Sequence, residues 1–277
     1  HPEKPKYDFR IRGQNLQFAP VFATFIPRAT LYTRGGMKEV EIVASGAGFD
    51  LASMQENLVA QVDIQIDHLV IDRMSGTGGK LTEALLLGIF NMEWSDLRFM
   101  TGDLDLAIDR SRFGDQDIHI QTLLLQAPSF QLDGNGSVQF GGIWAPDMEI
   151  KTGFIGAKAD RLRRQGYAIS TQADGAGYYP GPAIILKGDL TSLRNQAGLV
   201  TDVLVRSGKL STKDARNADL VNQILGSLGG TQTNGEKKTD VGSILGGILG
   251  GVLESQSPQE NQTEQNDDAT EAIGNLL

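Results

Sequence analysis

The chain contains no cysteine, which excludes disulfide frameworks, thiolate nucleophiles, cysteine-held zinc and iron–sulfur clusters together. Histidine is nearly missing as well, with 3 in 277 residues, so imidazole chemistry has few participants. Basic charge is in deficit: 25 Lys and Arg face 34 Asp and Glu, for a net charge of −9. No basic patch marks a phosphate-backbone footprint, and nucleic acid is not an expected partner. No run approaches the ~18 consecutive apolar residues of a membrane-spanning helix, and the first residues, His1 to Lys6, lack the apolar core of a signal peptide. The expectation is a cytosolic protein or one whose targeting segment has been removed.

What is present is a core and many turns. Hydrophobic residues make up 40% of the chain, enough for one large domain or two ordinary ones. Glycine, at 34 residues, is well above its usual share of roughly 7%.

The dominant period is two. Between Leu58 and Val70 the even positions carry Leu58, Ala60, Val62, Ile64, Ile66, His68 and Val70, against Gln61, Asp63, Gln65 and Asp67 on the odd ones. This is a strand with one dry and one wet face. Leu104, Leu106 and Ile108 alternate with Asp103, Asp105 and Asp109, and Ile118, Ile120, Thr122 and Leu124 with Asp117, His119 and Gln121. In the next run Phe130, Leu132, Val138 and Phe140 share a parity with Gly134 and Gly136, where the sheet can bend or a neighbour approach. Short connections predict hairpins and an antiparallel meander with a single apolar face. Further strands are expected over Tyr7–Arg12, Glu39–Ala47, Met148–Phe154, Tyr167–Gln172 and Ala183–Leu190. Helices are expected over Phe18–Ile26, Leu81–Phe90, Leu193–Val205 and Ala215–Leu228. The fold class is therefore mainly β (α+β), with more strand faces than helices to cover them. Such a sheet curls on itself, packs on a second sheet, or leaves a dry face for something else.

Past Gly229 the texture changes. Thr231–Asp240 is a polar linker, Val241–Leu253 reads VGSILGGILGGVL, and Glu254–Glu271 is polar and acidic without a basic residue, the composition of a disordered segment. The Gly-rich stretch is too short to span a bilayer; docking on the domain or a partner, and an interfacial membrane contact, are its two readings. Six of the excess negative charges fall in the tail, which leaves residues 1–253 with −3.

Chemistry-bearing motifs are incomplete. DRSRFGDQDIHI from Asp109 sets oxygen donors at Asp109, Ser111, Asp115 and Asp117 with Gly114 in sixth place. Phe113 and Ile120 occupy two positions that a calcium loop needs for ligands, so the stretch reads as a turn with solvated acids. Gly76-Thr-Gly-Gly-Lys80 has Met74 where a phosphate loop requires its first glycine. No nucleophile elbow or zinc helix occurs. His68, on the apolar parity, is expected to be a buried, hydrogen-bonded core residue. Trp94 and Trp144 are expected to be packing residues. No catalytic residue, metal ligand or cofactor is assigned.

Three passages together resemble a known family. FRIRGQNLQFAPVFATF (Phe9–Phe25) has a strand, a Gly-x-x-Leu step and a short helix. ASGAGFDLASMQENLVAQVDIQIDHLVID (Ala44–Asp72) has a small-Gly pair and Asp-Leu and Asn-Leu steps before a long alternating strand. Phe99–Ile150 continues the alternation, and PAIILKGDLTSL (Pro182–Leu193) closes the sheet. In order and spacing, about Tyr7 to Asn195 resembles the C-terminal region of the AsmA family, the bacterial envelope proteins related to TamB. The resemblance implies a long, curled antiparallel β-sheet forming an apolar groove, with a few short helices. It also implies a non-enzymatic periplasmic protein, anchored in the inner membrane, that binds or conducts phospholipid acyl chains between inner and outer membranes and supports outer-membrane biogenesis. Two features depart from that pattern: the anchor helix is missing, so the chain would be an excised or processed region, and the acidic tail is foreign to it.

The domain organisation expected on this basis is a linker at 1–6, the AsmA-like β-groove domain at 7–195, a helical cap at 196–230, a Gly-rich linker or amphipathic segment at 231–253 and an acidic disordered tail at 254–277. The lipid-facing residues expected are Val62, Ile64, Ile66, Leu104, Leu106, Ile108, Ile118, Ile120, Leu124, Phe130, Leu132, Val138 and Phe140. Partners expected are phospholipid, the membrane through an anchor outside this chain, and an envelope protein engaged by the C-terminal segment. Two rivals stand beside this expectation: a periplasmic scaffold with a closed β-sandwich core, and a glycan-directed enzyme using Asp103 and Asp109.

Overall fold

The computed structural model describes residues 4–20, 32–49, 53, 57–73, 80–90, 92–109, 118–139, 145–190, 192–213 and 215. Ten strands form one antiparallel sheet: β1 (Lys6–Gln17), β2 (Thr33–Ala47), β3 (Val59–Ile71), β4 (Arg98–Phe99), β5 (Thr101–Asp109), β6 (Ile118–Gln126), β7 (Phe130–Gln139), β8 (Ala145–Phe154), β9 (Tyr179–Pro180) and β10 (Ile184–Lys187). Their order is β1-β2-β3-β5-β6-β7-β8-β10, with β4 added to β3 and β9 to β8. Sequential neighbours pair nearly throughout, as the hairpin-length connections require. Among the described residues β1 and β10 are the two edges, and the sheet does not close on itself.

Helices are few. A π-wound segment covers Glu83–Ile89, α1 spans Gly156–Arg164 and α2 spans Leu193–Arg206. α2 presents Ala197, Val200, Val203 and Leu204, all fully buried, to the core. This is the 3.6-residue spacing of an amphipathic helix lying on a sheet. α1 contributes Ala159 and Leu162, also fully buried. These helices and the π-wound segment form one core with the sheet residues Met37, Ile66, Phe99, Phe130, Phe154 and Ile184. Phe99 meets Phe130 edge-on, with ring centroids 5.5 Å apart, and Phe90 tilts against Phe154 at 5.4 Å. The few buried polar side chains bond to backbone: Thr152 donates to the Pro182 carbonyl at 2.9 Å and Thr201 to that of Ala197 at 2.8 Å.

Several expectations change. Tyr167–Gln172 is not a strand. Tyr167 and Ile169 are buried and Ala168 exposed, so the alternation is real, but the backbone bonds scatter. Ala168 N–H goes to Ser207 O and Ser170 N–H to Pro180 O, which leaves no ladder. α1 was not expected, because its two buried residues, one turn apart, are too few to mark a helical period, and its N-cap, Ile155, makes no side-chain cap. β2 begins at Thr33, six residues before its expected start. The domain boundary expected at 195 falls within α2, which is continuous with the core of the sheet. Of the helix expected at Phe18–Ile26, Phe18 to Pro20 are helical and the rest lie outside the described residues. Of the helix expected at Ala215–Leu228, all but Ala215 lies outside them.

Candidate functional site: a half-covered apolar face

Register fixes which side chains share a face. Ile42 stands opposite Val62, which stands opposite Leu106, which stands opposite Ile120. One row away, Val40, Ile64, Leu104 and Leu123 align in the same manner. The expected dry face therefore exists and crosses the sheet from β1 to β8.

Among the described residues it is built into the core at one end only. Toward the C-terminal ends of β1 and β6, the face belongs to the helix-bearing core: Ile66 and Phe130 are buried members of it, and Ile64 and Leu132 pack against it. At the other end Val62, Leu104, Leu106, Ile108, Ile118 and Ile120 are only partly buried and none joins that core. Val138 is buried at 6% exposure, also outside the core. On the edge strand, Phe9 and Ile11 are 44% and 53% exposed. By register they extend the same face. Five inter-strand steps of about 4.8 Å from β1 to β7 make this band about 24 Å across. Phe9 and Ile11 belong to it and were not among the expected lipid-facing residues, although the alternation of Tyr7–Ile11 carried the signal; Ile42, in the same row as Val62, packs against the core.

Two expected placements are corrected by bulges. In β6 the register shifts around Gln121, so that Ile120 pairs with Leu106 and Gly136 while Leu123 pairs with Leu104 and Gly134. One extra residue inverts the parity of everything after it. Leu124 is therefore on the opposite face, between Asp103 and Asp133, and Leu123 and Leu125 take the apolar positions. In β3 the register skips Asp67 between Ile66 and His68. His68 is consequently not a core histidine: its side chain is 52% exposed and lies 3.0 Å from Asp67 Oδ2, and Leu69 is buried in its stead. Phe140 and Trp144, and the acid-rich turn from Ser111 to Asp117, lie outside the described residues. Trp94 is partly buried against the core and donates to Glu83 at 3.4 Å.

The glycines on the apolar parity of β7 admit a close neighbour. Gly136 has φ +143°, and a Cβ there would stand 2.2 Å from the Asp147 carbonyl oxygen of β8.

The reverse face is polar and ordered in rows. Arg12, Glu41, Asp63, Asp105 and Thr122 succeed one another across five strands. Arg10 and Arg12 both bind Glu41, the latter at 3.2 Å. The hydrogen bond from Arg10, then that from Arg12, holds the Glu41 carboxyl below the usual carboxylate range. Gln61 donates to Asp105. Asp63, between two other acids, is pushed up, first by partial burial and then by Asp105 and Glu41. A shallow depression of about 540 Å³ opens at the uncovered end, bordered mainly by residues of this polar face such as Arg10, Val43, Gln61 and Gln121. Among the expected lipid-facing residues only Ile108 borders it. Among the described residues no group of three or more acidic or histidine side chains is placed to hold a metal ion. No described helix is long and apolar enough to cross a membrane.

No protein-family model, curated protein or solved structure matches this chain.

Proposed function

We propose that this protein is a non-enzymatic component of the bacterial envelope that holds phospholipid acyl chains on the uncovered half of its apolar face. In that role it conducts them between inner and outer membranes and supports outer-membrane biogenesis. The observation that carries the proposal is the division of one continuous apolar face into a half built into the core and a half that no described residue packs into that core. Apolar burial is non-directional and scales with area, so a band of aliphatic side chains suits a flexible hydrocarbon without specific polar contacts. At about 0.8 kcal/mol per CH₂, an acyl chain of some 14 carbons gains on the order of 10 kcal/mol before ordering costs. The sheet places no acid–base pair on this band, and the acids nearest in sequence, Asp103 and Asp105, belong to the reverse face.

A second reading is a periplasmic scaffold that uses the same band to dock a protein. It is favoured by the other half of the face, which helices close as in an ordinary domain. Its β-sandwich form requires a second sheet, whereas the ten described strands form one.

The test is mass spectrometry of lipid extracted from the purified protein, together with photocrosslinking from positions 106 and 120. Leu106→Asp and Ile120→Asp should each abolish lipid recovery while circular dichroism and thermal midpoint stay near those of the parent. Undiminished lipid in a stable variant would overturn the proposal. Absence of lipid from the parent protein would favour the scaffold.

A further inference from the structure

At the far edge of the sheet, β10 pairs among the described strands with β8 alone, and α2 is in contact with it. Between them lies a depression of about 420 Å³, bordered by Ile185 and Lys187 of β10 and by Arg194, Asn195, Gly198, Leu199, Asp202 and Arg206 of α2. Three cations and one carboxylate line it. The carboxylate is already engaged, Asp202 Oδ2 lying 2.6 Å from Arg206 Nε. Among the described residues neither Lys187 nor Arg194 has an ion-pair partner, although Asp147 of β8 stands opposite Lys187 in register. The chain neighbours of these two cations approach one another. A Cβ at Gly188, next to Lys187, would lie 3.7 Å from the amide nitrogen of Asn195, next to Arg194.

Two features of α2 are unfavourable for the helix taken by itself. Arg194 places positive charge in the first turn, at the positive end of the helix dipole, where no acidic residue offsets it and Ser192 makes no side-chain cap. Gly198 occupies a helix-interior position that costs stability relative to alanine. Neither backbone conformation nor packing requires it: its φ is not positive, and an added Cβ would meet no atom within 4 Å. What the glycine preserves is open space on the wall of the depression.

We propose that this depression binds a phosphate monoester, with Lys187 and Arg194 contacting its oxygens, Arg206 lining the far end and Gly198 leaving room for the bound group. A terminal phosphate carries close to two negative charges near neutral pH, which matches the two unpaired cations, and the guanidinium fork suits its oxygens. The same chemistry is offered by a free phosphate monoester and by a lipid whose headgroup is a bare phosphate. The proposal stands apart from the acyl-chain reading, since it concerns the opposite edge of the sheet.

Calorimetric titration of the full chain with inorganic phosphate, glycerol 3-phosphate and micelle-free dihexanoyl phosphatidic acid tests it. Saturable binding is expected, weakened about tenfold or more by Arg194→Gln or Lys187→Gln. It should be less affected by Arg194→Lys and weakened by Gly198→Leu. Affinity should rise between pH 5 and pH 7 as the phosphate loses its second proton, near pH ~6. Equal affinity for all three probes identifies a free phosphate monoester as the class of ligand; preference for the lipid identifies a headgroup. No saturable binding, or binding unchanged in both charge variants, would overturn the proposal. Leu106→Asp should leave phosphate binding intact, which separates failure here from failure of the acyl-chain reading.

Discussion

Leu106 of β5 stands directly opposite Ile120 of β6, at the point where β6 carries one residue more than its neighbours. The bulge aligns these two side chains on the uncovered band and sends Leu124 to the acidic face. It supplies an internal control: Leu106→Asp and Ile120→Asp should remove bound lipid, whereas Leu124→Asp, a change of the same kind in the same strand pair, should leave it in place. Lipid loss equal in all three variants would show that charge on the sheet, rather than the face it occupies, governs retention.

Phe130 has a place on the apolar face but lies in the covered half, 1% exposed and in edge contact with Phe99. Its truncation should act on stability. Phe130→Ala should lower the free energy of unfolding by about 3–5 kcal/mol in urea denaturation. Ile108→Ala, at the open end, should cost well under half of that.

Gly136 and Gly156 separate two uses of glycine. Gly136 combines φ +143° with backbone of β8 closer than any side chain tolerates, so Gly136→Ala should destabilise by more than about 1 kcal/mol. Gly156 begins α1 with open space around it, and Gly156→Ala should stabilise by ~0.4–1 kcal/mol. Thermal midpoints moving in opposite directions are the expected result.

Asp63 and Glu41, directly opposite one another, should make opposite contributions to the pH dependence of stability. The Asp63 carboxyl is raised in the folded state, chiefly by partial loss of solvation and then by Asp105 and Glu41, so the folded protein holds that proton more tightly than the unfolded chain. Its contribution improves as pH falls from neutral through the raised value and levels off below the ordinary aspartate range, near ~3.9. The Glu41 carboxyl is lowered by Arg10 and Arg12; its stabilisation is present above the ordinary glutamate range, near ~4.3, and is lost as pH drops through the lowered value. Asp63→Asn should raise stability at pH 7, by less than about 1 kcal/mol because the group is largely solvated. It should also flatten the upper window only. Denaturation midpoints across pH 3 to 8 check both signs.

Much of the sheet was legible because strand alternation is a local property. Each residue's parity follows from its neighbours, so Val62 and Ile64, or Leu104 and Leu106, announced a dry face without any partner strand. The hairpin-length connections then dictated antiparallel neighbours. The segment Tyr167–Gln172 shows the limit of that signal: a chain that alternates has not thereby acquired a ladder, and its backbone bonds go to two unrelated segments. α1 shows the converse, a helix whose few apolar residues leave no period to read.

The amino-acid sequence by itself determined the period, the antiparallel meander of its alternating strands and the composition that rules out thiol chemistry, since these depend on residues close together in the chain or on none in particular. Tertiary structure alone decided three matters: where the extra residue of β6 falls, which turned Leu124 away; where that of β3 falls, which exposed His68; and which half of the apolar face the helices cover. A bulge is defined by the strand paired beside it, and coverage by elements far along the chain. The physical reason is the same in each case: facing and burial are relations between strands and layers, and a single strand's pattern carries only its own side of them.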